Sequence, residues 1–128
     1  MHEIYTGGRT RPEVVKKGEY KNLEYLILTN GIYPCAYINV SYTPYALKPI
    51  EHPCLDAFPC HGGVTYSWKK YPYQEDENEG YWFLGWDYAH GEEDYNPVYN
   101  SLGHRWTIEE IEEECKRGID FIHGGNND

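Results

Sequence analysis

Two β-rich runs joined by Asn30 and Gly31 constrain the fold of this chain more than any other feature. Residues 23–29 and 32–40 consist mainly of apolar, aromatic and β-branched side chains. An Asn-Gly pair between such runs favours a type I′ turn, because both central residues of that turn need a positive φ. Pro34 cannot donate to a β-ladder, so we expect that end of the second strand on an edge or at a bulge. The pattern predicts an antiparallel hairpin.

A second pair of strands is predicted by residues 64–68 and 81–86, where apolar side chains recur at every second position. This alternation places them on one face of a strand. The side chains expected to share a face are Val64, Tyr66 and Trp68 in the first run, and Trp82, Leu84 and Trp86 in the second. We interpret the two runs as antiparallel neighbours joined by a long, acidic loop.

The C-terminal part of the chain has the pattern of an amphipathic helix. Thr107 and Glu110 have the spacing of a capping box, and the first turns are rich in glutamate, which suits the positive end of the helix dipole. Gly118 is expected to weaken the middle of the helix, and Gly124 to end it. The apolar side chains that recur at three- and four-residue steps are Ile108, Ile111, Cys115, Ile119 and Ile122.

These elements predict the architecture. Residues 1–128 are expected to form a single domain, and residues 1–22, which lack clear periodicity, a loosely ordered arm or one short strand. Residues 43–60 contain four prolines, and a connection of this length inside a compact domain is often functional. The predicted fold is α+β, with a twisted antiparallel sheet of four to six strands and the C-terminal helix packed on one face.

Charge and composition exclude several partners. The net charge of −10 argues against binding a DNA or RNA polymer, which requires a basic face. The acidic residues are concentrated at 75–79, 92–94 and 109–114, which we interpret as solvated faces. Without a membrane-length apolar stretch or a secretory pattern, we expect a cytoplasmic protein with no membrane partner and reduced cysteines. The oligomeric state stays open, with a homo-oligomer among the alternatives.

Two segments carry the residue types that chemistry needs. In the first, His61-Gly62-Gly63, successive glycines can turn their N–H groups toward an anion, beside an imidazole able to act as acid or base. Alternatively, the glycines open a bulge and His61 is structural. In the second, the Asp87 carboxylate could orient the ring of His90 and raise its basicity. Alternatively, Asp87 bonds its own backbone in an Asx-turn.

A metal site competes with this interpretation. The acceptable zinc ligands in and near the two segments are Cys54, Cys60, His61, Asp87, His90 and Asp94. None has a strong ligand spacing such as His-x-x-x-His or Cys-x-x-Cys, so we expect no metal and no other cofactor. A Cys60 nucleophile beside His61 is weaker still, because neighbours on a strand point to opposite faces.

Aromatic side chains in the two segments could stack on the base of a nucleotide, an interaction of about 1–3 kcal/mol per base. These side chains are Tyr66, Trp68, Trp82, Trp86 and Tyr88. Arg105, Lys69 and Lys70 are the nearby candidates to contact phosphate. Alternatively, the rings belong to the core, which is the commoner place for aromatic residues at strand spacing.

The motifs together resemble a group of short accessory proteins from tailed phages and prophages of Gram-positive bacteria. The shared pattern is His52-Pro53, then His61-Gly62-Gly63-Val64-Thr65-Tyr66, then Gly85-Trp86-Asp87-Tyr88-Ala89-His90-Gly91, with Thr107, Glu109 and Glu110 in the terminal helix. The resemblance runs from about residue 35 to the C-terminus. After His90 the chain departs from the pattern, because residues 91–94 replace a tighter Gly-Asp, and the role of Asp94 is left open.

The resemblance implies a counter-defence role in the cytoplasm of an infected bacterial host, since small phage accessory proteins often sequester or cleave nucleotide immune signals. Our leading hypothesis is capture of a small nucleotide-type ligand in a cleft beside His61 and His90. The expected ligand-binding residues are Gly62, Gly63, Thr65, Tyr66, Trp86 and Arg105. The alternative is hydrolysis of such a ligand, with His61 and His90 as an acid–base pair and Asp87 orienting one ring. A second alternative is an acidic decoy that engages a basic host protein through residues 75–79.

Overall fold

A single antiparallel sheet with one helix packed against it makes up the architecture of this computed structural model, which describes residues 4–72, 74 and 80–124. Within these residues the elements are β1 (Glu13–Tyr20), β2 (Leu23–Thr29), β3 (Pro34–Asn39), β4 (Tyr66–Trp68), β5 (Phe83–Asp87) and α1 (Ile108–Ile122). The strand order across the sheet is β1-β2-β3-β5-β4. The predicted α+β fold is therefore confirmed.

Residues 13–20 form a strand, which was the alternative to a loosely ordered arm. Residues 13–20 pair with β2 along their whole length, with one irregularity between Val14 and Lys16. The strand lies on the edge of the sheet, where one side of its backbone faces solvent and charged side chains are favoured. Lys17 forms an ion pair of 3.3 Å with Glu24 on β2. The charged side chains, which made the strand hard to recognise in the sequence, are thus explained by its position on the edge of the sheet.

The predicted hairpin between β2 and β3 is confirmed, but the type I′ turn is wrong. The last pair of the ladder joins Thr29 to Pro34, so four residues form the loop. Gly31 has a φ of +91°, whereas Asn30 does not adopt a positive φ. Instead, the side chain of Asn30 accepts hydrogen bonds from the N–H groups of Ile32 (2.9 Å) and residue 33 (3.1 Å). A side-chain cap has replaced the tight backbone turn.

The expectation that Pro34 lies on an edge or at a bulge is also wrong. Pro34 is the first residue of β3, which lies between β2 and β5 in the interior of the sheet. A strand tolerates proline at its first position, because the ladder has only begun there. The carbonyl of Pro34 still contributes, since it accepts a hydrogen bond of 3.1 Å from the N–H of Tyr88.

Replacing Gly31 with valine should lower the free energy of unfolding by about 3 kcal/mol, measured by denaturant titration. A β-branched residue resists a positive φ, and a Cβ at this position would lie 2.1 Å from the carbonyl oxygen of Gly8. Gly80→Val is the matched control, because Gly80 has a φ of +84° and open space around its Cβ position. Equal losses in the two variants would contradict the role of the Gly8 contact.

The sheet has one face toward the helix and one toward a smaller apolar cluster. Trp82, Leu84 and Trp86 pack on the helix side, as predicted, and β4 pairs with β5 antiparallel. Val64 and Tyr66 do not share a face, since Val64 packs with the helix-side core and Tyr66 with the opposite cluster. The prediction failed there because β4 begins only at Tyr66, so the alternation does not extend back to Val64.

The helix begins and ends as predicted. The Thr107 hydroxyl accepts from the N–H of Glu110 (3.1 Å), and the Glu110 carboxylate accepts from the N–H of Thr107 (2.9 Å). Gly118 has a packing role, because a Cβ there would lie 2.8 Å from the ring of Phe58. Residues 43–60 thus bring Phe58 against the helix. Among the described residues, no helix combines the length and apolar character that crossing a membrane requires.

Candidate functional site

Three ionisable side chains from distant parts of the sequence meet on the helix side of the sheet. His61 follows the long connection of residues 43–60, His90 follows β5, and Asp94 lies in the next turn. The Nε2 atom of His61 is 2.9 Å from Oδ2 of Asp94, and the two imidazole rings lie 4.9 Å apart, edge to face. These residues form the His61–His90–Asp94 cluster, the candidate site of the protein.

Asp94 is the buried centre of the cluster, with only 2 % of its surface exposed. Besides the contact with His61, its carboxylate accepts hydrogen bonds from the indole N–H of Trp106 (2.9 Å) and the backbone N–H of His90 (2.8 Å). Burial by itself raises the pKa of this carboxyl, but the three hydrogen bonds outweigh it and lower the pKa below its ordinary value. Asp94 is therefore ionised, and it orients His61.

The ring of His61 is held on several sides. It stacks on Tyr88 with 5.2 Å between ring centroids and 6° between ring planes, and Trp106 lies 4.9 Å away. The backbone N–H of His61 and the hydroxyl of Tyr88 donate to Glu114 on α1. Burial raises the pKa of Tyr88, which keeps this hydroxyl protonated as a donor. The side chain of His61 retains 15 % exposure, so the ring is fixed in position and still reaches solvent.

His90 rests on Gly62, which explains one glycine of the motif. Gly62 has a φ of +74°, and a Cβ there would lie 2.1 Å from Nε2 of His90. Nε2 also lies 3.2 Å from the backbone carbonyl of Asp87 and 3.5 Å from its carboxylate. That carboxylate accepts from the N–H of Ala89 (3.2 Å), the Asx-turn alternative, and from the hydroxyl of Thr65 (3.3 Å). Asp87 therefore forms the Asx-turn, and its role in orienting His90 stays a prediction. The Thr65 hydroxyl contacts the Asp87 carboxylate.

The remaining predicted ligand-binding residues are not brought to the cluster. Trp86 is 1 % exposed, and its indole N–H donates to the hydroxyl of Tyr88, so its ring is part of the core. Tyr66 packs on the opposite face of the sheet. Arg105 lies over the rings of Tyr5 and Tyr95, at 5.1 and 4.8 Å. The burial of Trp86 disfavours its contact with a ligand, whereas the ligand roles of Tyr66 and Arg105 stay predictions.

At the two glycines where an anion-binding concavity was predicted, the N–H of Gly63 is already used in a hydrogen bond within the protein. The N–H of Gly63 donates to the carbonyl of Cys60 over 3.2 Å, which closes a turn.

Burial raises the pKa of the Cys60 thiol to about 12, and the charge of Glu114 adds to this effect. A protonated thiol is a poor nucleophile, which disfavours the cysteine alternative.

The sequence did not indicate that Asp94, named only as a possible zinc ligand, lies at the centre of the site. Residues 92–94 were interpreted as a solvated acidic face, but Asp94 is buried; the run at residues 75–79 lies outside the described residues. A parallel bridge between Asp94 and His104 holds the loop, in which the side chain of Asn100 donates to the Asp94 carbonyl (3.1 Å). The only sequence signal was the four-residue spacing between His90 and Asp94, which by itself is common in loops.

A groove elsewhere on the surface has little of this chemistry. It measures about 540 Å³ and is lined mainly by β1, β2 and the segment after β3, including Lys17, Glu24 and Tyr42. Lys17 and Glu24 already pair with each other, and the lining contains no histidine or cysteine. We therefore place the chemistry at the His61–His90–Asp94 cluster, where ionisable groups converge.

The fold and the site together define an α+β protein with a histidine–aspartate cluster beside the end of its sheet. Comparison of the chain with protein-family models, curated proteins and solved structures found no match. The resemblance to phage accessory proteins stays a prediction, which rests on the motifs around His61 and His90. These motifs are also the segments that form the cluster.

Proposed function

We propose that the protein is a phage counter-defence hydrolase that cleaves a phosphoester bond of a small nucleotide-type signal at the His61–His90–Asp94 cluster. The observation that carries this proposal is the 2.9 Å contact between His61 and buried Asp94, with a second imidazole beside it. Two imidazoles and a carboxylate are groups that acid–base hydrolysis uses. The nucleotide class of substrate comes from the resemblance alone.

We propose different tasks for the two histidines. Because ionised Asp94 accepts from Nε2 of His61, Nδ1 of the same ring carries the lone pair and can take a proton from water. The water oxygen then attacks phosphorus as the bond to the leaving oxygen breaks, and His90 gives its proton to that oxygen. Asp94 stabilises the imidazolium that forms on His61. Its three hydrogen bonds hold it in place throughout.

Capture without cleavage has less support than hydrolysis, although it was the leading hypothesis from the sequence. It relied on rings that include Trp86 and Tyr66 to hold the base, and on Gly62, Gly63 and Arg105 to contact the phosphate. Trp86 is in the core, and Tyr66 packs on the opposite face of the sheet, so neither ring is a platform beside the cluster. The acidic decoy, through residues 75–79, falls outside the described residues and stays a prediction.

Incubating candidate signals with a trace of protein separates hydrolysis from capture. We expect substoichiometric protein to convert an excess of at least one cyclic dinucleotide or cyclic ADP-ribose isomer, seen as product by chromatography. Stoichiometric return of intact ligand after heat denaturation would support capture instead. If no nucleotide is bound or converted, both hypotheses fail.

A further inference from the structure

The cluster contains the donor set of a transition-metal site. Two imidazoles and one carboxylate offer one ligand atom each, and these atoms all lie within 4.8 Å of one another. In a tetrahedral zinc site, bonds of about 2.0–2.2 Å place neighbouring ligand atoms roughly 3.3 Å apart. The separation of 2.9 Å between Nε2 of His61 and Oδ2 of Asp94 is slightly shorter than that spacing, so an ion that replaces this hydrogen bond would move the two atoms only a little apart.

The surroundings of the three side chains resemble the outer shell of a metal site. Ligating carboxylates are usually hydrogen-bonded, and Asp94 accepts from the Trp106 indole and the His90 backbone. A ligating histidine usually donates a hydrogen bond from its second ring N–H to a carbonyl or carboxylate. His90 has such a partner in Asp87, whose carbonyl lies 3.2 Å from Nε2, which leaves Nδ1 for an ion.

The charge of the site also suits a cation. Within the described part of the chain, no lysine or arginine forms an ion pair with Asp87 or Asp94. The side chain of His90 is 32 % exposed, so an ion can reach the cluster from solvent. Three protein ligands leave a fourth position for water, as in catalytic rather than structural zinc sites.

From these observations we propose that His61, His90 and Asp94 bind one divalent transition-metal ion of the zinc type. The proposal does not depend on the proposed function, because binding is measured without a substrate. It has a consequence for mechanism, since a metal on Nε2 of His61 would leave the ring proton on Nδ1, the atom that takes a proton from water in the acid–base route. In the loaded protein, a metal-bound water would then supply the nucleophile.

Calorimetric titration of the purified, chelator-treated full chain with Zn²⁺, and separately with Co²⁺, tests the site. We expect one equivalent to bind, with visible Co²⁺ absorption typical of a four-coordinate ion. His90→Ala and Asp94→Asn should each weaken Zn²⁺ binding by more than about 100-fold, because losing a ligand costs more than losing an outer-shell partner. His104→Ala is the matched control, since this exposed histidine pairs with Glu110 outside the cluster.

The result that would overturn the proposal is the absence of stoichiometric binding, or binding that His90→Ala and Asp94→Asn leave unchanged. Circular dichroism shows whether each variant is folded. If Asp94→Asn does not fold, His90→Ala alone tests the site, because the His90 ring is partly exposed and its loss should leave the fold intact. Activity with and without a chelator keeps the two proposals apart. Turnover by metal-free protein supports the acid–base route, whereas stoichiometric metal binding without any turnover contradicts only the proposed function.

Discussion

Replacing His61 or His90 with alanine should lower nucleotide turnover by about 10²- to 10⁴-fold, the range that a positioned acid or base contributes. The two variants should differ in stability. Removing the His61 ring takes one of three donors from buried Asp94, so we expect the free energy of unfolding to fall by about 1–3 kcal/mol. The ring of His90 is partly exposed, and its loss should change the unfolding free energy less.

His104→Ala is the control for these two variants. His104 also packs against Trp106, at 4.6 Å between ring centroids, but its Nε2 atom lies 3.0 Å from Glu110 rather than from the cluster. Steady-state rates and chemical denaturation on all three variants provide the measurement. If the folded His61→Ala or His90→Ala variant keeps full turnover, that histidine has no role in catalysis.

Replacing Gly62 with alanine should lower the activity of the site although no ionisable residue is replaced. The new Cβ would lie 2.1 Å from Nε2 and 2.3 Å from Cε1 of His90, so the ring has to move. A displacement of about 1 Å in a catalytic group costs roughly 10²-fold in rate, and we expect a loss of that order. The His90 side-chain NMR signals should shift at the same time.

Gly63→Ala is the control that separates this steric effect from the backbone strain of alanine at a positive φ. Gly63 has a φ of +87°, close to the +74° of Gly62, but its Cβ position has no neighbour within 4 Å. Both variants should lose a similar amount of stability, because alanine is strained at either φ. Only Gly62→Ala should shift the His90 signals. If the two variants lose turnover equally, the contact between Gly62 and His90 is not what positions the ring.

Local signals in the sequence were sufficient for the helix and for the apolar face of β5. The capping box at Thr107 and Glu110 acts within one turn, so residue spacing alone predicts it. Trp82, Leu84 and Trp86 lie on one face because the side-chain period of a strand is two. Such features depend on neighbours a few residues away, and the sequence contains all of that information.

Features that depend on distant partners were missed or wrongly predicted. Residues 13–20 had no apolar period to reveal β1, because an edge strand tolerates charge once β2 is beside it. Trp86 was expected to contact a ligand, since a sequence does not distinguish a ring that covers a core from one that lines a cleft. Its burial follows from the packing of the helix and residues 43–60 over the sheet.

The sequence by itself determined the α+β class, the β2–β3 and β4–β5 pairs and the two segments that carry the histidines. Only the tertiary structure decided which carboxylate serves His61. Asp87 was expected to orient a ring because it is three residues from His90, and no carboxylate was assigned to His61. Asp94, which is 33 residues from His61, makes the 2.9 Å contact. Burial beside Trp106 selected it, because a carboxylate withdrawn from water requires several donors, and only the folded chain brings three of them together.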